Sequence, residues 1–439
     1  MGSKVLIISS KEPEYSASLG LDIMRSLEGS GYSVDYLTKY TYRGGLNNIY
    51  SVEKYSKIQV LKRFISHLVG KGVVDFMITF LKKCGFIKYR SRVNDILFIY
   101  PDESKTFISS KKIIEMCSYK KYDYILTVFW QDMINTTLLK EVYDKTRLPI
   151  IIYAVDMAPM TGGCYYFGDC NRFQRGCGMC PGLNSNDCND KSHENYLRKM
   201  KNYSSIKCAL IGNSWMLRYA SKSRLFDNSI LRHCSIVVND SVFTPIDMLQ
   251  ARFKLGLCER NAFVILYRSS HLLRKGGVYF LKAINRLSEL NLRRQIIVLT
   301  IGDSYVRDNI NNNCMNIHLG FVNEDTLRLA YQSSNVFVNT SLDDAGPSMI
   351  NQSILCGTPV VCFNNGVALD VIINGSSGYK YETRDYDGIC DGLYRILTMQ
   401  DVDYKILREH TREIAVMFNS YKSFAKSFDE VAHCFEGNN

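Results

Sequence analysis

The chain has 439 residues, of which 46% are hydrophobic and 22% charged, and 54 Lys and Arg against 43 Asp and Glu give a formal net charge of +11. That length predicts two to three domains with large cores, and fifteen cysteines, an odd number in a long chain, argue against a complete disulfide framework and for a reducing cytoplasm. No run of eighteen apolar residues occurs, and the start MGSKVLIISS enters a strand without a charged leader or cleavage site, so the chain is expected neither to be secreted nor to span a membrane. Leu6 stands where a myristoylation signal needs Ser or Thr. The Asn-x-Ser/Thr matches are read as chance, since Asn351 falls inside a predicted helix.

Strands alternate with helices along the chain, the pattern of parallel α/β layers. In the first half, strands are expected at 4–9, 32–38, 122–130, 149–156, 207–213 and 235–239, with helices such as 17–28 between them. Residues 54–92 interrupt this series with ten Lys or Arg and one acid, Asp75, a local net charge of +9. Apolar residues such as Leu61, Phe64, Ile65 and Leu68 approximate helical spacing there. A basic amphipathic stretch of this kind can lie on an anionic membrane, each cation contributing on the order of 1 kcal/mol. The alternative is a helix packed on the first domain with a solvated basic face. No nucleic-acid module accompanies the charge, so nucleic acid is not an expected partner.

Asp156 closes the strand at 149–156 and opens the run DMAPMTGGCYYFGDCNRFQRGCGMCPGL, residues 156–183. At a strand end it is a candidate catalytic residue facing a cleft, or else a cap for the loop that follows. Within the run, Cys164, Cys170, Cys177 and Cys180 have the spacing C-x5-C-x6-C-x2-C. Four thiolates with a terminal CxxC suit a structural zinc ion; unmetallated thiols in a tight loop, or disulfides formed on oxidation, are the competing readings.

The stretch 239–247, which contains Pro245, reads as the boundary before a second series of strands at 263–269, 295–302, 316–321, 336–339 and 359–363. This divides the chain into an N-terminal domain, 1–240, a second doubly wound domain, 241–420, and a closing helical segment, 421–439. Ligands of open α/β sheets bind beyond the carboxyl ends of the strands, so two such domains form a cleft where those ends face. The first strand of the second series runs out through RSSHLLRKGG, where Arg268, Arg274 and Lys275 precede a helix; their alternative role is as solvated charges at a helix start.

The run DAGPSMINQSILCGTP, 344–359, places a glycine-bearing loop directly before a helix, with Pro347 suited to its first turn and Gly357 and Pro359 to its end. Gly346, Pro347, Ser348 and Met349 would present backbone N–H groups and the helix dipole to an anion. Asp344 in the loop and Gln352 one turn into the helix would line the same ligand, inferred to be a sugar nucleotide.

The segment 335–372, NVFVNTSLDDAGPSMINQSILCGTPVVCFNNGVALDVI, resembles the donor-binding segment of group 1 retaining glycosyltransferases, a family of GT-B fold. The resemblance implies two doubly wound Rossmann-like domains facing across a cleft, with the last helix returning to the first domain. Members carry Glu-x7-Glu here, the first carboxylate facing the donor sugar and the second the ribose hydroxyls; this chain has Asp344 and Gln352 at those positions. The resemblance also implies that Lys275 and either Arg268 or Arg274 meet the donor diphosphate, and that Val322 borders the base. The TGGC…CxxCP run resembles an insertion in a subgroup that builds bacterial surface polysaccharide, capsule or O-antigen. The implied activity is transfer of a sugar, with retention of configuration, from a nucleotide-sugar donor to a growing lipid-linked glycan at the inner face of the plasma membrane. In that chemistry the leaving diphosphate accepts the acceptor proton and no catalytic cofactor is expected. A sugar-nucleotide epimerase of the same fold and a non-catalytic nucleotide-sugar-binding module are the competing functions.

Overall fold

In the computed structural model the described residues are 2–42, 44–53, 102–257, 259, 261–290, 292, 294–310 and 314–437. The basic segment 54–92 lies outside them.

Two parallel sheets organise the chain. The first contains β1 (Lys4–Ser9), β2 (Ser33–Tyr40), β3 (Ile49–Glu53), β4 (Tyr124–Val128), β5 (Ile150–Tyr153), β6 (Cys208–Gly212) and β7 (Ile230–His233), in the order β3-β2-β1-β4-β5-β6-β7. The second contains β8 (Phe263–Ser269), β9 (Ile296–Gly302), β10 (Met315–His318), β11 (Val336–Asn339), β12 (Val360–Phe363) and β13 (Gly378–Tyr381), in the order β10-β9-β8-β11-β12-β13. The central strands are near-continuous apolar runs because helices cover both faces: Val5, Leu6 and Ile7 are fully buried, as are Val264, Ile265 and Leu266. Strand order reverses between β1 and β4 and again between β8 and β11, which are the points where such sheets open a crevice for ligands.

Three elements differ from the sequence expectation. Residues 235–239 form no strand; β7 precedes them. Ile236 and Val237 pack into the core around β1, and Val238 into the core around β8, so their apolar pattern reflects burial in both units. β3 and β13 are edge strands with mostly half-buried residues, too short and too polar to stand out by alternation.

The chain ends on the first sheet. Phe424, Phe428, Val431 and Phe435 of the helix Tyr421–Glu436 share a core with Val5 and Ile7 of β1. Tyr421 donates its hydroxyl proton to Asp22 at 2.6 Å. Among the described residues no helix is long and apolar enough to cross a membrane.

Candidate active site between the two sheets

Loops that follow β1, β4 and β5 of the first sheet and β8 and β11 of the second line one cavity of about 550 Å³. Of the residues singled out in the sequence, Asp156, Arg268, Arg274, Lys275, Asp344, Gly346, Pro347, Ser348, Met349 and Gln352 line it. Val322 does not. It packs at the edge of the second core, and Leu327, within the helix Glu324–Ser333, reaches the cavity wall in that region.

The wall from the second sheet begins where β8 ends. Asp303, after β9, accepts from Ser269 Oγ at 3.0 Å and from the backbone N–H of His271 at 2.7 Å, which turns the chain into the short helical turn Leu273–Lys275. Gly276 then takes φ 68°, and a Cβ there would lie 1.8 Å from the Thr340 carbonyl oxygen; only glycine allows the two loops this approach. Leu342 N–H donates to the Arg274 carbonyl at 2.8 Å, and the Arg274 guanidinium donates to the Asp343 carbonyl, also at 2.8 Å. The two loops are thereby laced together.

Asp344 sits at the centre of this wall, 6% exposed. Its Oδ2 is paired with Lys275 Nζ and lies 3.3 Å from Arg274 Nη1. Burial pushes the Asp344 carboxyl up, but the two cations outweigh it and hold the carboxyl below the usual carboxylate range. The helix Ser348–Leu355 starts four residues on, with Pro347 at its N-cap and no capping side chain, so its first N–H groups are available to an anion. Gly346 is constrained from the opposite side, since a Cβ there would meet Ile236 Cδ1 at 2.2 Å. Gln352, 1% exposed, accepts at Oε1 from the Tyr331 hydroxyl at 3.2 Å.

The wall from the first sheet carries Asp156, whose Oδ1 accepts from the Ala158 N–H at 2.9 Å. It holds the first residue of the turn Ala158–Met160 and lines the cavity at once. Burial raises its carboxyl to about 7, against the pull of the Ala158 N–H and of Lys199. Beneath that turn Lys199 and Glu103, both fully buried, lie 3.4 Å apart, and Lys199 donates to the Ala158 carbonyl at 2.5 Å. Lys11, Tyr165 and Tyr166 also line the cavity and were not singled out in the sequence. Lys11 had a signal, its place in the first βα loop; the tyrosines lay unmarked inside the cysteine run.

Cys164, Cys170, Cys177 and Cys180 surround a small void of about 20 Å³. No disulfide joins them, and among the described residues no group of three or more His, Cys, Asp or Glu side chains is placed to hold a metal ion. The zinc ion expected at these thiols is not shown by this arrangement. Hydrogen bonds brace the loop. Thr161 Oγ1 accepts from Cys164 N–H at 3.1 Å, Asp190 from Cys180 N–H at 2.7 Å, and Ser192 Oγ from Gly178 N–H at 3.0 Å. The sequence also contains two Asp-x-Asp pairs, Asp385/Asp387 and Asp401/Asp403, and none of these residues lines the cavity. Asp385 caps the helix Tyr386–Leu397 and Asp387 pairs with Arg286, while Asp401 and Asp403 lie in the first turn of Asp401–Asn419.

Residues 250–415, which carry the whole second wall of the cavity, match the family model for glycosyl transferases group 1. That match covers less than half of the chain. An uncharacterised glycosyltransferase of Methanocaldococcus jannaschii is 27% identical over 142 residues, 31% of this chain; the match spans only 36% of that relative's length. Two solved structures resemble the chain over nearly its full length. Sucrose-phosphate synthase from Thermosynechococcus elongatus has a TM-score of 0.66 at 13% identity, covering 100% of both chains. HepE of Anabaena, solved in complex with UDP and glucose, has a TM-score of 0.59 at 14% identity, covering 98% of this chain and 100% of that one. The fold is GT-B, two Rossmann-like α/β units in one chain, as the sequence resemblance implied.

Proposed function

We propose that the cavity between the sheets binds a nucleotide sugar and that the group 1 glycosyltransferase domain transfers its sugar, with retention of configuration, to a growing lipid-linked surface glycan. The observation that carries this reading is the convergence of Lys275, Arg274 and Asp344 with the uncapped start of Ser348–Leu355 in one cavity. A diphosphate entering there meets Lys275, with Arg268 or Arg274, draws the paired cations away from Asp344 and accepts from the helix N–H groups. Asp344, relieved of part of its pairing, is left to orient sugar hydroxyls, and Gln352 to meet the ribose. The leaving diphosphate takes the acceptor proton, Lys275 and the helix end stabilise its growing charge, and Asp156 orients the acceptor hydroxyl from the facing wall.

The test is a panel of UDP-, GDP-, ADP- and TDP-sugars, with and without lipid-linked glycan. UDP-glucose comes first, because HepE was solved with UDP and glucose. One donor is expected to bind and to be consumed with formation of a glycosylated lipid. Donor isomerisation without acceptor would make the protein an epimerase, and binding without turnover a non-catalytic module.

The lipid-linked acceptor rests on the charge of residues 54–92, ten cations against Asp75. The protein is expected to bind vesicles of anionic lipid and much less to neutral ones, with binding falling as salt shortens the Debye length, ~10 Å at 0.1 M. Gln at Lys62, Arg63, Lys82 and Lys83 should abolish most of that binding and spare transfer to a short soluble acceptor. Parent-like vesicle binding by this variant would assign the charge to a solvated face.

A further inference from the structure

We propose that the cysteine-rich loop of the first unit is a working part of the donor site, with Tyr166 as the residue that positions Arg274. The inference rests on the reading of the cavity as a nucleotide-sugar site and goes beyond it by making one wall depend on a side chain from the other.

The loop follows β5 and belongs to the first sheet, yet three of its consecutive polar contacts reach the second unit. The Tyr166 ring lies under the Arg274 guanidinium, 3.8 Å from ring centroid to Cζ. The next glycine, Gly168, donates its N–H to Asp343 Oδ2 at 2.8 Å, and Asp169 pairs with Arg384 at 2.8 Å. The last pair is exposed and contributes little. The first two are part-buried and meet adjacent parts of the donor wall, because Arg274 itself donates to the Asp343 carbonyl and pairs with Asp344. One loop thus touches two neighbouring members of the Arg274–Asp343–Asp344 arrangement.

Geometry makes Tyr166 the effective contact. A flat guanidinium over an aromatic face is held by cation–π attraction that strengthens when water is excluded, and the Arg274 side chain is 12% exposed. With its plane fixed by the ring, its N–H fork is aimed along the wall towards Asp343 and Asp344, where a diphosphate would arrive. The loop is stiff enough to hold the ring in place. Phe167 packs against Phe173 and Tyr219 at centroid distances of 5.4 and 4.7 Å, and the hydrogen bonds accepted by Thr161, Asp190 and Ser192 fix the turns around the thiols. Arg274 is therefore correctly oriented only while the two units are closed on each other.

The experiment is a double-mutant cycle on the full chain, Tyr166→Leu with Arg274→Ala, read by equilibrium binding of UDP, GDP and ADP. Tyr166→Leu alone should weaken binding of the preferred diphosphate about 5- to 20-fold, Tyr166→Phe should bind like the parent, and Tyr166→Leu should add nothing once Arg274 is Ala. An unchanged Kd for Tyr166→Leu overturns the inference while the donor reading stands. Equal losses in both Arg274 backgrounds also overturn it, since a merely structural role would cost the same in each. If the parent binds none of the three diphosphates, the donor reading falls and takes this inference with it.

Discussion

Lys275→Ala should lower kcat/KM for the nucleotide-sugar donor by roughly 10- to 100-fold, the loss of a charge-assisted contact of about 1.5–3 kcal/mol. The decrease should be larger in kcat than in donor affinity, because charge on the leaving diphosphate grows towards the transition state and a cation held against it gains with that growth. Loss of fold is not the expected cause. Asp344 keeps Arg274 at 3.3 Å after the substitution, so no buried carboxylate is left without a partner. Asp344→Asn separates the two roles assigned to this cluster. It frees Lys275 and Arg274 for the diphosphate, so donor affinity should hold or rise, while kcat falls because the sugar loses the carboxylate that orients it. Steady-state kinetics on both variants, with donor binding measured separately, checks this. Parent-like kcat/KM in Lys275→Ala would remove that residue from the site, and parent-like turnover in Asp344→Asn would place the sugar elsewhere.

How much of this arrangement can be read from the sequence depends on where the partner of each residue lies. The central strands are legible because helices cover both faces of each sheet, which turns them into short apolar runs between turn signals. The same logic misreads 235–239, whose Ile236 and Val238 are buried by two different cores without any ladder. The donor wall is legible because its anion site is local, a glycine-bearing loop and a helix start within a few residues of each other. Tyr166 is not, since its ring has meaning only against Arg274 in the other unit. The cysteine spacing suggests metal ligands, but the residues that brace this loop, Asp190 and Ser192, come after the run and leave no mark on its spacing. Gln352 is legible as a departure from the family pattern, while the Tyr331 hydroxyl that engages it is not.

The pH dependence of transfer should run through Asp156. Burial raises its carboxyl to about 7, so the group changes from acid to carboxylate near neutrality, and a carboxylate is the form that accepts a hydrogen bond from an acceptor hydroxyl. The parent's kcat/KM for the acceptor is expected to climb with pH through about 7. Asp156→Asn should flatten that climb and lower the plateau by roughly 10- to 100-fold, a smaller loss than for a full general base because the diphosphate accepts the proton. Stability should move the other way. A carboxyl whose folded value lies above its ordinary 3.8 binds its proton more tightly in the folded state. Its contribution is therefore fully present below about pH 4 and lost as pH rises to about 7. Asp22 and Asp343, also raised by burial, to about 7 and about 6, lose stability over the same range in parent and variant alike, so the difference between the two proteins isolates Asp156. Asp156→Asn should melt higher than the parent at pH 8, with no such gain at pH 4, while transferring more slowly. A variant with the parent's pH profile and rate would leave Asp156 only its structural contact, the 2.9 Å bond from the Ala158 N–H, and the acceptor hydroxyl would have to be oriented by another group on that wall.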